Sequence, residues 1–295
     1  MSTDAPTADR AHERHHILLT NDDGVDAPGL LALKRALSAV GHVDVLAPDH
    51  NWSAAGHTKT MHKPLRVWSI ALADGSEART TNGTPSDCVA LALLGLLERA
   101  PDLVVSGINA GANVGSDITY SGTVAAAMEA VIAGIPAIAV SIDSLEVTDP
   151  SLAAAFAARL AALMLRSDEV RERSAGDRPL LLNVNVPNLP REGVRGVQVT
   201  RLGRRVYRDA LVERRDPRGR TYYWIGGEPP VGLPEEGTDI GALEAGYISI
   251  TPILMDLTDY GRIPTLRAWA ITLEDSVDDA QRGQVGDLAP TSDDQ

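Results

Sequence analysis

The chain reads as an α/β protein: a doubly wound, mostly parallel, Rossmann-like sheet with a C-terminal β-rich extension. Three observations predict this class. Strand-like runs such as Ile17-Leu18-Leu19 and Leu103-Val104-Val105 are short and apolar throughout, the pattern of strands covered on both faces. Helical patterns lie between them, and connections of that length join parallel neighbours. Beyond Pro190 the periodicity changes, and strand-favouring runs follow one another with no comparable helix between them.

The elements are justified in chain order. Residues 17–20 form a strand, and Pro28 opens a helix carrying Leu30, Leu31, Leu33 and Leu37, which Gly41 closes with a left-handed cap. Strands follow at 43–47 and 65–70. Pro85 starts a helix that runs through Leu97, ahead of the strand at 103–105. A helix from Gly122 to Ala133, ended by Gly134, precedes a strand at 137–141, a helix at 152–165 and a strand at 180–186. In the last third, 197–201, 206–214, 221–225 and 247–254 favour strands, and Asp216-Pro217-Arg218-Gly219 has the turn chemistry of a hairpin tip.

This divides the chain into a polar disordered tail at 1–14, a Rossmann-like catalytic core at 15–190, a β-rich extension with an oligomerisation hairpin at 191–273, and a disordered acidic tail at 274–295. The plainer reading of 191–273 is a compact edge of the same sheet. A projecting hairpin points instead to a homodimer or homotetramer.

Composition bounds the function. With 44% hydrophobic but only 4% aromatic residues among 295, the core must be built from Ala, Val, Leu and Ile. A net charge of -13 repels polyanions and anionic lipid, so neither a nucleic-acid polymer nor a membrane is an expected partner. An anionic substrate would need local help from a metal or from backbone donors. Cys88 is the single cysteine, which excludes an internal disulfide and a cysteine-cluster metal site. No run has membrane-spanning length and the first residues lack a signal-peptide core, so the expected home is the cytoplasm.

The chemistry is expected at the carboxyl ends of the strands, where open α/β sheets gather ligands. The first strand stops in Thr20-Asn21-Asp22-Asp23-Gly24. Two adjacent carboxylates raise each other's proton affinity, and a hard divalent ion relieves the repulsion while using their oxygens as ligands. The second strand leads into a loop from Pro48 to Gly56 that contains Ser53, and the strand at 103–105 leads into Ser106-Gly107-Ile108-Asn109-Ala110-Gly111. Carboxylate, hydroxyl and amide oxygens suit magnesium or manganese rather than zinc. The loop then continues to Tyr120-Ser121-Gly122-Thr123 and straight into a helix. Its free N–H groups and positive dipole end make an anion site, and Gly122 allows close approach of a phosphate. The plain readings are a polar turn for the aspartates and a helix cap for Ser121 or Thr123.

At these residues the sequence resembles the SurE family of metal-dependent survival-protein phosphatases, which act as nucleotidases. The resemblance rests on the segment from Ile17 to Val25, Ala47-Pro48-Asp49 with Ser53, Gly83-Thr84-Pro85-Ser86-Asp87-Cys88-Val89, the segment from Ser106 to Gly111, and that from Tyr120 to Glu129. It covers residues 16 to about 188, with weaker echoes at Asn183-Val184-Asn185-Val186-Pro187 and Ser249-Ile250-Thr251-Pro252. It implies that Asp22, Asp23, Ser53 and Asn109 bind one divalent ion per subunit, Mg2+ or Mn2+. It further implies that Ser121, Gly122 and Thr123 hold the substrate phosphate, and that Asn82, Gly83 and Thr84 lie on the nucleoside side. Where relatives often have an arginine-rich stretch and a glycine around the ligand serine, this chain has His50, Asn51, Trp52 and Ala54, which makes Trp52 the candidate to stack on a base.

The expected reaction is hydrolysis of a nucleoside monophosphate to nucleoside and phosphate, a 5′/3′-nucleotidase, with a metal-activated water attacking phosphorus and Asp22 or Asp23 taking its proton. Sequence does not choose between the two. A nicotinamide-binding Rossmann enzyme fits poorly, because Gly107 to Gly115 lacks the G-x-G-x-x-G spacing. An aspartyl-phosphate phosphatase fits poorly as well, because its acids are typically two positions apart. The alternative of a different kind is a catalytically silent nucleotide-binding or scaffold protein on the same fold. His57 and His62 are expected to pack as polar loop residues, the histidines at 12, 15 and 16 lie in or beside the tail, and Cys88 is expected in the core.

Overall fold

The computed structural model describes residues 15–147, 149–167, 170, 179–269 and 271. Strand β1 (His16–Thr20) is buried along its whole length, as an apolar run of Ile17, Leu18 and Leu19 requires. Helix α1 (Pro28–Leu37) begins on its proline and turns Leu30, Leu33 and Leu37 inward. Then come β2 (His42–Pro48), β3 (Val67–Ala71), β4 (Glu77–Thr81) and α2 (Pro85–Leu91). Next are β5 (Leu103–Ala110), α3 (Gly122–Ile132), β6 (Ala137–Asp143), α4 (Ser151–Arg166) and β7 (Leu181–Pro187). The last third holds β8 (Gly196–Val199), β9 (Arg204–Arg215), β10 (Thr221–Leu233), α5 (Asp239–Glu244), β11 (Tyr247–Ile253) and α6 (Ile263–Ala268).

Nine strands form one sheet in the order β3-β4-β2-β1-β5-β6-β7-β11-β8. The strands from β4 to β7 run parallel, whereas β3 pairs antiparallel with β4 and β11 antiparallel with β7. Helices α1 and α4 pack together on one face and α2 and α3 on the other, so the sheet is doubly wound. From β1 the chain moves outward to β2 and later returns to place β5 on the other side. The crevice between the ends of β1 and β5 is therefore a topological switch point, where such folds bind ligands.

The core is aliphatic, as the scarcity of rings demands. Helix α4 presents a stripe of Ala153, Ala154, Ala157, Ala158 and Ala161, whose small side chains let it lie close against α1 and β6. A fully buried leucine such as Leu19 or Leu33 contributes about 2 to 3 kcal/mol of apolar burial.

Three expectations need correction. Strand β4 was not foreseen, because Glu77-Ala78-Arg79-Thr80-Thr81 is polar; it pairs with β3 across a turn at Gly75 and buries Ala78, Thr80 and Thr81. The helix expected through Leu97 stops at Leu91 and continues as a wide turn over Ala92–Leu96, because Gly95 adopts φ +113°. Helix α5 interrupts the strand-rich last third, capped by the Thr238 hydroxyl, which accepts the Gly241 N–H. Of the strands expected there, β8 and β11 complete the large sheet, while β9 and β10 form a separate antiparallel ribbon turning at Asp216–Gly219. Cys88 is fully buried and unpaired, and burial pushes its thiol pKa up.

By contacts the chain divides into a unit ending at Ile253 and a second beginning at Leu254. In the second, Tyr260 donates its hydroxyl to Asp256 at 2.6 Å ahead of α6. The expected tails at 1–14 and 274–295 fall outside the described residues. Among the described residues no helix is long and apolar enough to cross a membrane.

Candidate functional site

The turn after β1 is built by its own residues. Asn21 donates its amide to the Gly24 carbonyl at 2.8 Å, and Gly24, at φ +102°, takes a conformation that side chains resist. The β2 loop is fastened to this turn: Val25 N–H reaches the Pro48 carbonyl at 2.8 Å and Trp52 N–H the Asp22 carbonyl at 2.7 Å. Asp22 is 3% exposed and accepts the Thr123 hydroxyl from the first turn of α3. Gly122 presses so closely that a Cβ there would lie 2.7 Å from the Asp22 Cβ. Asp23 is less enclosed, taking the Asn51 amide at 3.1 Å and the Ala110 N–H at 3.3 Å.

Electrostatics single out this pair. Burial pushes the Asp22 carboxyl up to about 6; hydrogen bonds from Thr123 oppose the rise and the neighbouring Asp23 charge adds to it. Burial also raises Asp23, against hydrogen bonds from Ala110 and Asn51. Two desolvated carboxylates side by side are a donor set that a hard divalent cation fits, since it neutralises both and matches their oxygens. In chelator the natural chain must carry this strain alone. The folded pKa of Asp22 exceeds the ordinary 3.8, so its favourable contribution is complete below 3.8 and is lost as pH rises through about 6. A rise of that size amounts to roughly 3 kcal/mol. We therefore expect metal-free Asp22→Asn to unfold at higher urea than the natural chain at neutral pH, with the gap closing below pH 4. Equal midpoints at neutral pH would contradict a buried charge there.

The remaining sequence-predicted residues are distributed as follows. Asn109 lies at the end of β5, next to Ala110, and gives its amide N–H to the Gly111 carbonyl at 2.8 Å, which leaves its oxygen as the donor toward a cation. Ser53 is joined to the aspartates through Asn51: its N–H bonds the Asn51 side chain at 2.7 Å, and Asn51 in turn holds Asp23. Ser121 does act as the N-cap of α3, accepting the Val124 N–H at 3.1 Å. With Thr123 turned to Asp22, the anion nearest the α3 N-terminus is the chain's own carboxylate.

Asn82, Gly83 and Thr84 make their hydrogen bonds to residues other than Asp22 and Asp23. The Asn82 carbonyl group of the side chain accepts the Arg66 N–H at 2.9 Å, and Thr84 caps α2 in a reciprocal box with Asp87. Thr84 also donates to the Thr58 carbonyl at 2.7 Å, while Thr60 N–H reaches Asp87 at 2.9 Å. These residues thus hold the loop that follows Ser53. The same loop is tied to α3, since Gly56 N–H bonds the Tyr120 carbonyl at 2.9 Å. Glu129, buried on α3, pairs with His57 at 3.0 Å and Lys59 at 2.6 Å. Burial works to raise the Glu129 pKa, but His57 and Lys59 outweigh it and hold it low. His57 is thus held by Glu129, and the His50 ring centroid lies 4.9 Å from that of Trp52.

Several supports were missed in the sequence. Buried Asn113 gives its N–H to Asn185 at 2.8 Å and its amide to Ser141 at 2.9 Å, while Asn183 and Asn185 both donate to its carbonyl. Asp239, on α5, accepts the N–H groups of Gly115 at 2.8 Å and Gly203 at 2.7 Å. Arg205 and Tyr207, at the base of the ribbon, both bond Asp117. The segment leading into α3 is thereby fixed from β6, β7, α5 and β9. Paired asparagines in a strand, as in Asn183-Val184-Asn185, were the only signal available. A cavity of about 550 Å³ opens beside this segment, lined by Gly111, Asp143, Leu145, Arg205 and Leu243 among others.

Comparison with known proteins identifies the family. Residues 17–209 match the family model described as "Survival protein SurE". The chain is 55% identical over 254 residues to 5′-nucleotidase SurE of Chloroflexus aggregans, an alignment spanning 86% of this chain and 98% of the relative. Its identity to 5′-nucleotidase SurE of Herpetosiphon aurantiacus is 54% over 250 residues, 83% of this chain and 94% of that one. The crystal structure of the SurE protein from Aquifex aeolicus superposes with a TM-score of 0.71 at 40% identity, covering 87% of this chain and all of that chain. With a family match over most of the chain and relatives at more than half identity, the chain belongs to the survival protein SurE family.

Proposed function

We propose that the protein is a divalent-metal-dependent phosphomonoesterase that hydrolyses nucleoside 5′- and 3′-monophosphates to nucleoside and phosphate. The observation that carries the reading is the pair Asp22 and Asp23, desolvated at the switch point and faced by the β2 loop, the β5 loop and the first turn of α3. The naming of the relatives as 5′-nucleotidase SurE supports it. Asp22, Asp23, Ser53 and Asn109 are the residues that would hold one Mg2+ or Mn2+. When bound, the ion supplies Lewis acidity toward a phosphoryl oxygen and lowers the pKa of water.

The chain's own residues do the rest. Asp23, less enclosed than Asp22, is assigned to accept the proton of the attacking water. Asp22, locked by Thr123 and Gly122, sets the position of the cation. Ser121, Gly122 and Thr123 carry the phosphate on the α3 N-terminus, whose dipole favours charge building on the leaving oxygen. Asn82, Gly83 and Thr84 shape the nucleoside side through the loop they hold. The test is phosphate release from AMP and GMP with Mn2+, abolished by EDTA and restored by excess Mn2+. Full activity in chelator would remove the metal, and AMP binding without phosphate release would leave a silent nucleotide binder.

The ribbon supports self-association into a homodimer or homotetramer. It exposes Leu211, Tyr223, Trp224 and Ile225, an apolar stretch large enough to seek a partner surface. Sedimentation is expected to give a species of at least two subunits, and to give monomer once these four residues are replaced by Ser; a purely monomeric natural chain would contradict it. A single buried thiol accords with a reducing cytoplasm, which cell fractionation would check.

A further inference from the structure

We propose that the opposite end of the sheet carries a second metal site, formed by His16, His42 and Asp44, which takes a borderline divalent ion of the zinc class. The pairing of β1 and β2 builds it. His16 and His42 are register partners on adjacent parallel strands, so their side chains stand side by side, and Asp44, two positions beyond His42, returns to the same face. His16 Nε2 lies 2.8 Å and His42 Nε2 3.7 Å from the same Asp44 oxygen, and one ligand atom from each of the three residues falls within 4.8 Å of the others.

Hydrogen bonding explains only part of this. The His16 contact is an ordinary bond, but 3.7 Å is too long for His42 to share it. His42 is two-thirds exposed, and its ring lies 5.5 Å from that of His16, which puts both Nε2 atoms within 4 Å of one oxygen. In a tetrahedral zinc site with bonds of about 2.0 to 2.1 Å, neighbouring ligand atoms are about 3.3 Å apart, midway between the two observed separations. Two imidazoles and a carboxylate favour zinc, cobalt or nickel over magnesium. The exposed side of His42 leaves the fourth position to water.

This site is separate from the one assigned to hydrolysis. His16 opens β1 and Asp22 follows its end, and six residues of extended chain span about 20 Å. The nearby Asp102 is engaged elsewhere, accepting the His16 backbone N–H at 2.8 Å and the Arg99 side chain at 3.0 Å. The ion would clamp the starts of β1 and β2, and its chemistry differs from the all-oxygen set at the strand ends.

The test uses the full-length chain without an affinity tag, in an Asp22→Asn/Asp23→Asn background that disables the carboxylate pair. Co2+ titration is expected to give one bound equivalent with the visible absorption of a tetrahedral nitrogen and oxygen site, displaced by Zn2+. Adding His42→Ala or Asp44→Asn should remove that equivalent, while His12→Ala with His15→Ala should keep it. Absence of Co2+ binding in the starting variant, or its survival in His42→Ala, would overturn the proposal. Neither outcome bears on nucleotide hydrolysis.

Discussion

Asp23→Asn is expected to lower kcat for phosphate release from AMP by about 10³-fold at saturating Mn2+, with the fold intact. Asparagine keeps the size and still accepts the Ala110 N–H, so the loop after β5 stays in place. What disappears is a negative charge and, on the proposed mechanism, the proton acceptor for the attacking water; the loss of a single preorganised group at a catalytic centre costs about 10² to 10³ in rate. Asp22→Asn should act differently. Its carboxylate is sealed against Thr123, so the main effect is a weaker hold on Mn2+, read as a rise in the metal concentration needed for half activity. If Asp23→Asn loses less than tenfold in kcat, the catalytic assignment fails, whatever happens to Asp22.

The second large effect is expected from Gly122→Ala. On helix propensity alone, alanine for glycine in a helix is worth up to about 1 kcal/mol of added stability. Here the added Cβ would lie 2.7 Å from the Asp22 Cβ and 2.9 Å from Oδ2, closer than atoms sit without displacement. Asp22 has no room to yield, being fully packed and bonded to the next residue of the same helix. Either the carboxylate or the helix start must move, and a shift of about 1 Å at a catalytic group costs on the order of 10² in rate. We therefore expect kcat/KM to fall by about 10²-fold while helix content is unchanged. Natural activity in the variant would show that this contact has slack and that Gly122 is replaceable.

The strand ends were legible because burial on both faces leaves an unbroken apolar run, and Ile17-Leu18-Leu19 stopping at Asp22 is such a run. The acids themselves were legible as a charge pair. What they touch was not: Thr123 meets Asp22 across 101 positions and Gly115 meets Asp239 across 124, contacts that no local pattern encodes. Ser121 was read as either cap or phosphate ligand, and the two roles are compatible: its oxygen accepts the Val124 N–H while its O–H remains a donor. Strand β4 escaped because Thr80 and Thr81 are buried against β2, and buried threonines look like loop residues in a sequence. Polar residues that serve the interior carry the fold's least readable information.

The position of β1 sets the order in which the chain can be completed as it is made. Its first neighbour, β2, follows closely, with Ile17 beside Val43, but its other edge waits for Leu103, 86 positions later. At ordinary synthesis rates that interval is roughly ten seconds, during which Ile17, Leu18 and Leu19 have one bare flank on the ribosome. Newly made chains of this protein thus depend on whatever shields an apolar edge in the interval, and the segment that will present the paired acids is not flanked on both sides until β5 has been made.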